Sequence, residues 1–230
     1  MKRIFLEETE STNEYAKDRR ALGEDLIVVA KRQTGGRGTK GRSFSSLDGG
    51  VYLSMLTFYS DFSAANAFQI MQGAAAAVCE TLSTFGLKPK IKWANDVYVG
   101  GKKICGILIE NALCGQKIAS SVVGIGLNVY NELPEELAGI ATSILKETGK
   151  KVETESVLET LVRFLQTENI HKKYSEYLGW LGEEVELVVG ENRLKAALLS
   201  VDETGGLWVK IGGETKRFVT AEVSLCVKEN

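Results

Sequence analysis

Histidine and proline are scarce in this chain, which has one histidine and two prolines among 230 residues. The four cysteines are scattered, with no CxxC pair and no histidine partners, so neither a zinc site nor a disulfide framework is expected. A Ser-His-Asp or Cys-His mechanism would depend on His171, which falls in a polar stretch late in a predicted helix. We therefore interpret His171 as structural and the cysteines as buried thiols of a reducing compartment.

Long apolar runs are also lacking. No run reaches the roughly 18 residues expected of a membrane span. Residues 1–8, MKRIFLEE, become acidic before a signal-peptide core could develop. We therefore expect a cytoplasmic protein with no membrane partner. A formal net charge of −2 argues against a dedicated DNA-binding protein.

The order of apolar segments predicts an α+β fold. Hydrophobic residues make up 44% of the chain, which is enough for one substantial core and a small second one. Strands separated by a few long helices predict a central mixed β-sheet with helices packed on one face. Strands are predicted at 3–7, 25–31, 51–59, 90–93, 97–99, 104–110 and 118–128, and helices at 11–22, 63–85 and 153–177.

The pattern changes from residue 181 onward. Short strands are predicted at 184–189, 195–201, 207–211 and 216–218, separated by the glycine-containing turns DETGG and GG. Such spacing is typical of a small all-β barrel. The chain therefore divides into a predicted main domain, 1–180, and a predicted C-terminal barrel, 181–230.

A basic, glycine-rich loop follows the second predicted strand. Residues 31–42, KRQTGGRGTKGR, carry five cationic side chains, four glycines and no acidic residue. Glycine allows left-handed backbone, so successive N–H groups can line a concave anion site, and arginine adds a planar fork suited to carboxylate or phosphate oxygens. The alternative is a solvated, flexible surface loop.

Two further segments combine glycine with polar or charged residues. Residues 92–96, KWAND, are followed by GGKK at 100–103, which places lysines on both sides of a turn. Residues 122–129, VVGIGLNV, put two glycines inside a predicted strand, where glycine normally weakens pairing. Close approach of a ligand to the backbone would explain these glycines. Ordinary hairpin turns and a β-bulge are the alternatives.

Together these segments resemble the biotin protein ligases. Residues 33–42 are similar to the GRGRxGR loop of that family, KWAND to its KWPND motif, and residues 103–110, KICGILIE, to its KxxGILxE segment. Residues 124–128, GIGLN, resemble its GIGxN turn, residues 11–13 its early STN, and residues 221–225, AEVSL, its GEVSL ending. The resemblance implies the class II synthetase-like catalytic fold of that family, followed by an SH3-like β-barrel.

The resemblance also implies a two-step reaction with ATP and biotin as substrates and Mg²⁺ as the metal. The biotin carboxylate attacks the α-phosphate of ATP, which gives biotinyl-AMP and pyrophosphate, and a lysine of a biotin carboxyl carrier protein then takes the biotinyl group. A cationic loop would neutralise the charge that develops when a carboxylate meets a triphosphate. The candidate catalytic residues are Arg37, Arg42, Lys92, Asp96 and Lys103.

Binding roles also follow from the resemblance. Asp96 would hold Mg²⁺ on the phosphates or orient Lys92, and the sequence leaves both roles open. The residues implied for biotin are Ser11, Thr12, Asn13, Gln33, Arg37, Gly38, Thr39, Lys103, Gly106, Gly124 and Gly126. Those implied for the nucleotide are Arg42, Phe44, Lys92, Asn95 and Asn128.

Three residues depart from the family pattern, and one of them, Ala94, replaces the proline of KWPND without removing a chemical group. Thr39 stands where the family has a second loop arginine, and a hydroxyl cannot supply a guanidinium's charge or fork. Phe44 stands where tryptophan is usual, which keeps a stacking face but removes the indole N–H. The STN motif begins at Ser11, so we expect no N-terminal DNA-binding domain, whereas pairing of two copies through the central sheet is possible.

Two alternatives stay open. Lipoate ligases and octanoyl transferases share the catalytic fold, so fold alone does not separate them from biotin ligases. A non-catalytic biotin-binding module is the other alternative, and it is motivated by Thr39.

Overall fold

A computed structural model describes residues 1–220 and 223–226. Ala221 and Glu222 of the predicted AEVSL motif lie outside the described residues. The strands are β1 (Lys2–Thr9), β2 (Leu26–Gln33), β3 (Gly50–Phe58), β4 (Lys90–Lys92), β5 (Asp96–Val99), β6 (Lys102–Cys114), β7 (Lys117–Asn128), β8 (Glu184–Val189), β9 (Asn192–Val201), β10 (Leu207–Ile211), β11 (Glu214–Phe218) and β12 (Val223–Cys226). The α-helices are α1 (Thr12–Lys17), α2 (Phe68–Thr84), α3 (Ile144–Thr148), α4 (Thr154–Leu165) and α5 (Tyr174–Tyr177).

The first sheet has seven strands in the order β1-β2-β3-β7-β6-β5-β4. β1 runs parallel to β2, and every other neighbouring pair is antiparallel. The predicted central mixed sheet with packed helices is therefore confirmed. Length and apolar content exclude every helix in the described part of the chain as a membrane span.

Helices cover both faces of the first sheet, so the prediction that they lie on one face is wrong. α2 and α4 cover one face, where the run of alanines from Ala74 to Ala77 is almost fully buried against the strands. α1 lies on the opposite face, where Ala16 packs on Leu26 and Val28 of β2. The reason lies in β2 itself, because an apolar run without alternation has to be covered from both sides.

The prediction of one continuous helix over residues 153–177 is wrong. α4 ends at Leu165, and a short 3₁₀ helix (Ile170–Lys173) leads into α5. The break falls at the polar residues 167–169, where Asn169 takes a left-handed backbone with φ of 58°. Asparagine accepts this conformation more readily than most residues, so the helix is interrupted there.

The helix predicted over residues 11–22 is also shorter than predicted. It ends at Lys17 and is followed by a separate 3₁₀ helix (Arg20–Leu22).

The second sheet contains five antiparallel strands in the order β11-β10-β9-β8-β12. Among the described residues, no pairing joins the two outer strands, so the sheet is open there. The second sheet contacts the rest of the protein through its β9–β10 turn. There the carbonyl of Gly205 accepts a 3.0 Å hydrogen bond from Nε1 of the buried Trp93, which lies between β4 and β5. Gly205 also lies against the ring of Phe68 at the start of α2.

Asp202 organises this β9–β10 turn. Its carboxylate accepts hydrogen bonds from the guanidinium of Arg217, from Thr204, from the amide of Gly206 and from Nε1 of Trp208. These donors, and Arg217 most of all, hold the pKa of Asp202 well below its usual range. The turn that receives Trp93 is therefore fixed by one ionised side chain.

We predict that Asp202→Asn lowers the free energy of unfolding by about 1–3 kcal/mol near pH 7, because charge-assisted hydrogen bonds are lost. The pKa of Asp202 is lower in the folded state than its unfolded value of about 3.9. Its contribution is therefore complete above that pH and is lost as the pH falls through the folded-state pKa.

Urea unfolding followed by tryptophan fluorescence at pH 7 and at about pH 3 would measure this effect, and the difference from wild type should shrink at the lower pH. Glu203→Gln, at the exposed neighbouring position, is the matched control and should stay within about 0.5 kcal/mol of wild type. An Asp202→Asn protein as stable as wild type at pH 7 would contradict this account of the turn.

Candidate functional site

A cavity lies on the α1 face of the first sheet, beyond the part that α1 covers. The start of α1, the loop after β2, the β4–β5 turn and the middle of β6 and β7 all contribute to its walls. Its lining residues are Ser11, Thr12, Asn13, Gln33, Arg37, Gly38, Thr39, Arg42, Ser43, Phe44, Asn95, Asp96, Lys103, Gly106, Ile107, Leu108, Gly124, Ile125 and Gly126.

The floor of the cavity is a strip of sheet that bears almost no side chains. Strand register places Gly126 opposite Gly106, and Gly124 opposite Leu108. A Cβ atom on Gly124 would lie 2.1 Å from Oδ1 of Asn13, and one on Gly126 would lie 2.5 Å from the ring of Phe44. Both glycines are therefore required by the close approach of these two side chains, whereas the sequence indicated close approach of a ligand.

A hydrogen-bonded chain of polar side chains lies beside this floor. Oγ of the fully buried Ser54 is 2.6 Å from Oδ1 of Asn13 and 2.7 Å from Oγ1 of Thr12. The backbone N–H of Thr12 donates to Oε1 of Gln33 at 2.8 Å, and Nε2 of Gln33 donates to Oγ of Ser46 at 2.8 Å. The polar end of the cavity is thus held by bonds that reach from α1 to the loop after β2.

Asn13 is anchored on its other side by β6. Its Nδ2 donates to Oε2 of Glu110 at 2.8 Å, and Lys17 contacts Oε1 of the same carboxylate at 2.8 Å. Burial opposes ionisation of Glu110, yet the hydrogen bonds from Lys17 and Asn13 outweigh it and hold the pKa of Glu110 below its usual value. Glu110 is therefore an ionised acceptor at neutral pH.

The basic loop forms the outer wall. Its residues make local contacts: the Arg42 guanidinium donates to the carbonyl and to Oγ1 of Thr39, and the N–H of Gly38 donates to the carbonyl of Arg42. NH1 of Arg37 reaches out of the loop to Oε1 of Glu14 on α1 at 2.5 Å. The loop is therefore folded on itself and attached to α1 by one ion pair.

The β4–β5 turn brings Asn95 and Asp96 to the same region as Lys103 at the start of β6. Nζ of Lys103 lies 2.7 Å from Oδ1 of Asp96, and Nδ2 of Asn95 donates to the carbonyl of Ile107 at 2.9 Å. Asp96 therefore has a cationic partner, and Asn95 is held by the floor strand β6.

A second cavity adjoins the first and shares Thr39, Arg42, Asn95 and Asp96 with it. Lys92 lies in this second cavity, where its Nζ donates to the hydroxyl of Tyr98 at 3.1 Å. Burial lowers the pKa of Lys92, and Arg42 adds to that effect while Asp96 opposes it. The remaining lining residues are Lys40, Met71, Trp93, Ala94, Thr220, Val223 and Leu225.

The second sheet closes this second cavity. Nζ of Lys40 donates to the carbonyl of Val223 on β12 at 3.1 Å, and Lys40 adopts a left-handed backbone with φ of 57°. A non-glycine residue in that conformation is unusual and needs support from its surroundings. The bond to Val223 supplies such support, so the basic loop spans from α1 to the second sheet.

All but two of the residues predicted from the sequence line the first cavity. The first of the two exceptions, Lys92, lines only the second cavity. Asn128 lines neither, because its buried amide donates to the carbonyl of Thr142 and accepts from Nδ2 of Asn131. Within the part of the chain that the structure describes, no group of three or more His, Cys, Asp or Glu side chains is arranged to hold a metal ion.

Sequence reasoning missed several lining and supporting residues. Leu108, Ile107, Ile125 and Ser43 line the cavity beside the predicted residues. The most important omission is Ser54, which is buried on β3 and bonds both Thr12 and Asn13. A serine in the middle of the largely apolar strand VYLSMLTF was the available signal.

Comparison with known proteins gives one family. Residues 5–128 match the model described as the biotin/lipoate A/B protein ligase family. The bifunctional ligase/repressor BirA of Bacillus subtilis is 31% identical over 88% of this chain, which spans 66% of that relative's length. The biotin--[acetyl-CoA-carboxylase] ligase of Paracoccus denitrificans is 32% identical over 68% of each chain.

Among solved structures, the chain is similar to the biotin protein ligase from Aquifex aeolicus in complex with biotin and ATP. The TM-score is 0.79 at 32% sequence identity, and the match covers 97% of this chain and 98% of that one.

We predict that Gly124→Ala lowers the free energy of unfolding by about 1–3 kcal/mol, since the added methyl group has to displace Asn13 from Ser54 and Glu110. Gly139→Ala is the matched control, because a Cβ there meets nothing within 4 Å, and it should stay within about 0.5 kcal/mol of wild type. Chemical denaturation of the three proteins would measure both values. A Gly124→Ala protein as stable as wild type would contradict the described contact with Asn13.

Proposed function

The chain belongs to the biotin/lipoate A/B protein ligase family, and we propose that it is an ATP-dependent biotin protein ligase. In the first step the biotin carboxylate attacks the α-phosphorus of ATP, so that an acyl–phosphate bond forms and pyrophosphate leaves. In the second step the neutral ε-amine of an acceptor lysine attacks the biotinyl carbonyl, and AMP leaves. The acceptor in this proposal is a biotin carboxyl carrier protein or domain.

The observation that carries the proposal is the convergence of separate chain segments on one cavity. Hydroxyl and amide groups of Ser11, Thr12, Asn13 and Gln33 line it together with the bare floor at Gly124. A bicyclic ureido ring needs polar partners for its N–H and C=O groups and apolar neighbours for its body, and Ile107, Leu108 and Ile125 also line the cavity. We assign the biotin ring to this end of the cavity.

The second cavity is suited to the phosphates. Lys40, Arg42 and Lys92 bring positive charge to it, and Arg42 lies in the wall that it shares with the first cavity. A carboxylate in the first cavity and a triphosphate in the second would meet at that wall. Fixed cations there would neutralise the charge that develops during attack, in a site with little water to screen them.

Asp96 and Lys103 form an ion pair in the shared region, and we propose that both act on the nucleotide side of the reaction. Asp96 offers a carboxylate of the kind that holds Mg²⁺ together with substrate phosphates. Bound Mg²⁺ would neutralise phosphate charge. Lys103 would hold Asp96 in place and lies 5.9 Å from the ring centre of Phe44, the residue proposed to meet the adenine.

Several further parts of the proposal concern the whole protein. Residues 1–180 would form the catalytic domain, which carries the catalytic side chains of both cavities. Residues 181–230 would form a small SH3-like domain, and the five short antiparallel strands of the second sheet favour this assignment. The lack of a DNA-binding function and the pairing of two copies stay predictions from the sequence.

Pyrophosphate release tests the proposed reaction. The protein is incubated with ATP and Mg²⁺ together with biotin, lipoate or octanoate, and release is expected with biotin alone. Arg42→Gln should slow release by about 100-fold, as expected for loss of a group that stabilises developing charge. Arg193→Gln, on the exposed surface of β9, is the matched control and should leave the rate unchanged.

The other outcomes separate the alternatives. Release with lipoate or octanoate but not with biotin would make the protein a ligase for those acids. Biotin binding without release would make it a binding module.

Thr39 is expected to weaken retention of biotinyl-AMP. We predict that Thr39→Arg slows its escape by about tenfold, since a guanidinium adds a charge-assisted hydrogen bond to the phosphate that a hydroxyl cannot match. Release of labelled biotinyl-AMP in the absence of acceptor measures the rate. Thr39→Val is the control, because it removes the hydroxyl that contacts Arg42 without adding charge, and it should not slow escape. Equal escape rates from the arginine variant and wild type would contradict the prediction.

A further inference from the structure

We propose that Glu110 is a positioning residue that fixes the direction of the Asn13 side-chain amide and thereby selects a ligand that donates N–H hydrogen bonds. The inference rests on the proposed function and identifies the residue that makes the site prefer biotin to other carboxylic acids. Glu110 lines neither cavity, so it would act through Asn13 alone.

The contacts of Asn13 have one chemically consistent arrangement. Glu110 Oε2 lies 2.8 Å from one end of the amide, and an ionised carboxylate only accepts hydrogen bonds. The NH₂ group must therefore face Glu110, and the carbonyl of Leu108, 3.5 Å away, lies on the same side. A reversed amide would bring its oxygen against a carboxylate and a carbonyl, which is repulsive.

Glu110 is itself held as an anion. Nζ of Lys17 lies 2.8 Å from Oε1 of Glu110 and 2.6 Å from Oε1 of Glu14. The guanidinium of Arg20 donates to the backbone carbonyl of Glu110 at 2.8 Å, which fixes the strand at this position. Two cationic residues of the segment after Ser11 thus hold Glu110 where it can accept from Asn13.

The fixed amide determines what a ligand meets. Oδ1 of Asn13 lies directly over Gly124, on the floor of the first cavity, and Ser54 is its protein neighbour at 2.6 Å. A carbonyl oxygen has two lone pairs, so one remains for a ligand donor. The ureido ring of biotin carries N–H donors. The dithiolane of lipoate and the alkyl chain of octanoate carry none, so they would leave the second lone pair of this buried oxygen without a donor.

The experiment compares biotin with its cyclic carbonate analogue, in which oxygen atoms replace both ureido N–H groups. Calorimetry gives the ratio of the two dissociation constants for each protein. In wild type, biotin should bind about 100-fold more tightly than the carbonate. In Glu110→Gln the new side chain offers an NH₂ group as well as a carbonyl, so it no longer holds the Asn13 amide in a single direction. The ratio should then fall by about tenfold or more, and the carbonate should bind no more weakly than to wild type.

Two further variants separate positioning from general damage. Glu159→Gln makes the same change on α4, on the opposite face of the first sheet, so its ratio should stay close to that of wild type. Glu110→Asp keeps an acceptor-only carboxylate and should retain most of the ratio. Equal weakening of both ligands in Glu110→Gln, or an unchanged ratio, would overturn the proposal.

If Glu110→Gln does not fold, Asn13→Ala carries the test, because loss of the amide oxygen should lower the ratio by about tenfold or more. A wild-type ratio in Asn13→Ala would overturn the proposal. Failure of wild type to bind biotin would contradict the proposed function itself, whereas biotin binding with an unchanged ratio contradicts only the role of Glu110.

Discussion

The close approach of side chains to a bare strip of β-sheet is the constraint on which the site depends. Asn13 rests over Gly124 and the ring of Phe44 over Gly126, at separations that leave no room for a methyl group. The neighbouring Gly106 continues the strip onto β6. Because these two side chains lie directly against the backbone, the positions of the other groups that line the site follow from that contact.

Hydrogen bonds carry this arrangement from the floor to the rest of the molecule. Glu110 on β6 is connected through Asn13, Ser54 and Thr12 to Gln33, where the basic loop begins. The loop is tied at its far end to the second sheet by Lys40, and that sheet receives Trp93 from the β4–β5 region. The two cavities therefore share one framework in which α1, the basic loop and the second sheet restrain one another. In such a network, loss of one partner leaves buried polar groups unsatisfied, so its parts depend on each other.

The sequence could predict the parts of the site that require unusual residues. Gly124 and Gly126 stand out inside an apolar strand, and cations grouped around glycines at residues 31–42 indicate an anion site. It could not predict that α1 lies on the face opposite α2, because the apolar run of β2 indicates cover on both faces but not which helix covers each face. The roles of Ser54 and Asn128 were equally hidden, since both depend on partners distant in sequence or beyond a turn. The sequence of an apolar strand does not indicate which group a single polar side chain within it will hydrogen-bond.

A crystal structure with a non-hydrolysable analogue of biotinyl-AMP tests the central claim most directly, because one ligand would occupy both cavities. The account predicts that the ureido ring lies beside Asn13, with one of its N–H groups about 3 Å from Oδ1 of Asn13, and that Arg42 bonds the phosphate mimic between the two cavities. A ureido ring seated beside Lys92 in the second cavity, or an Asn13 amide that turns its Nδ2 to the ligand, would contradict it.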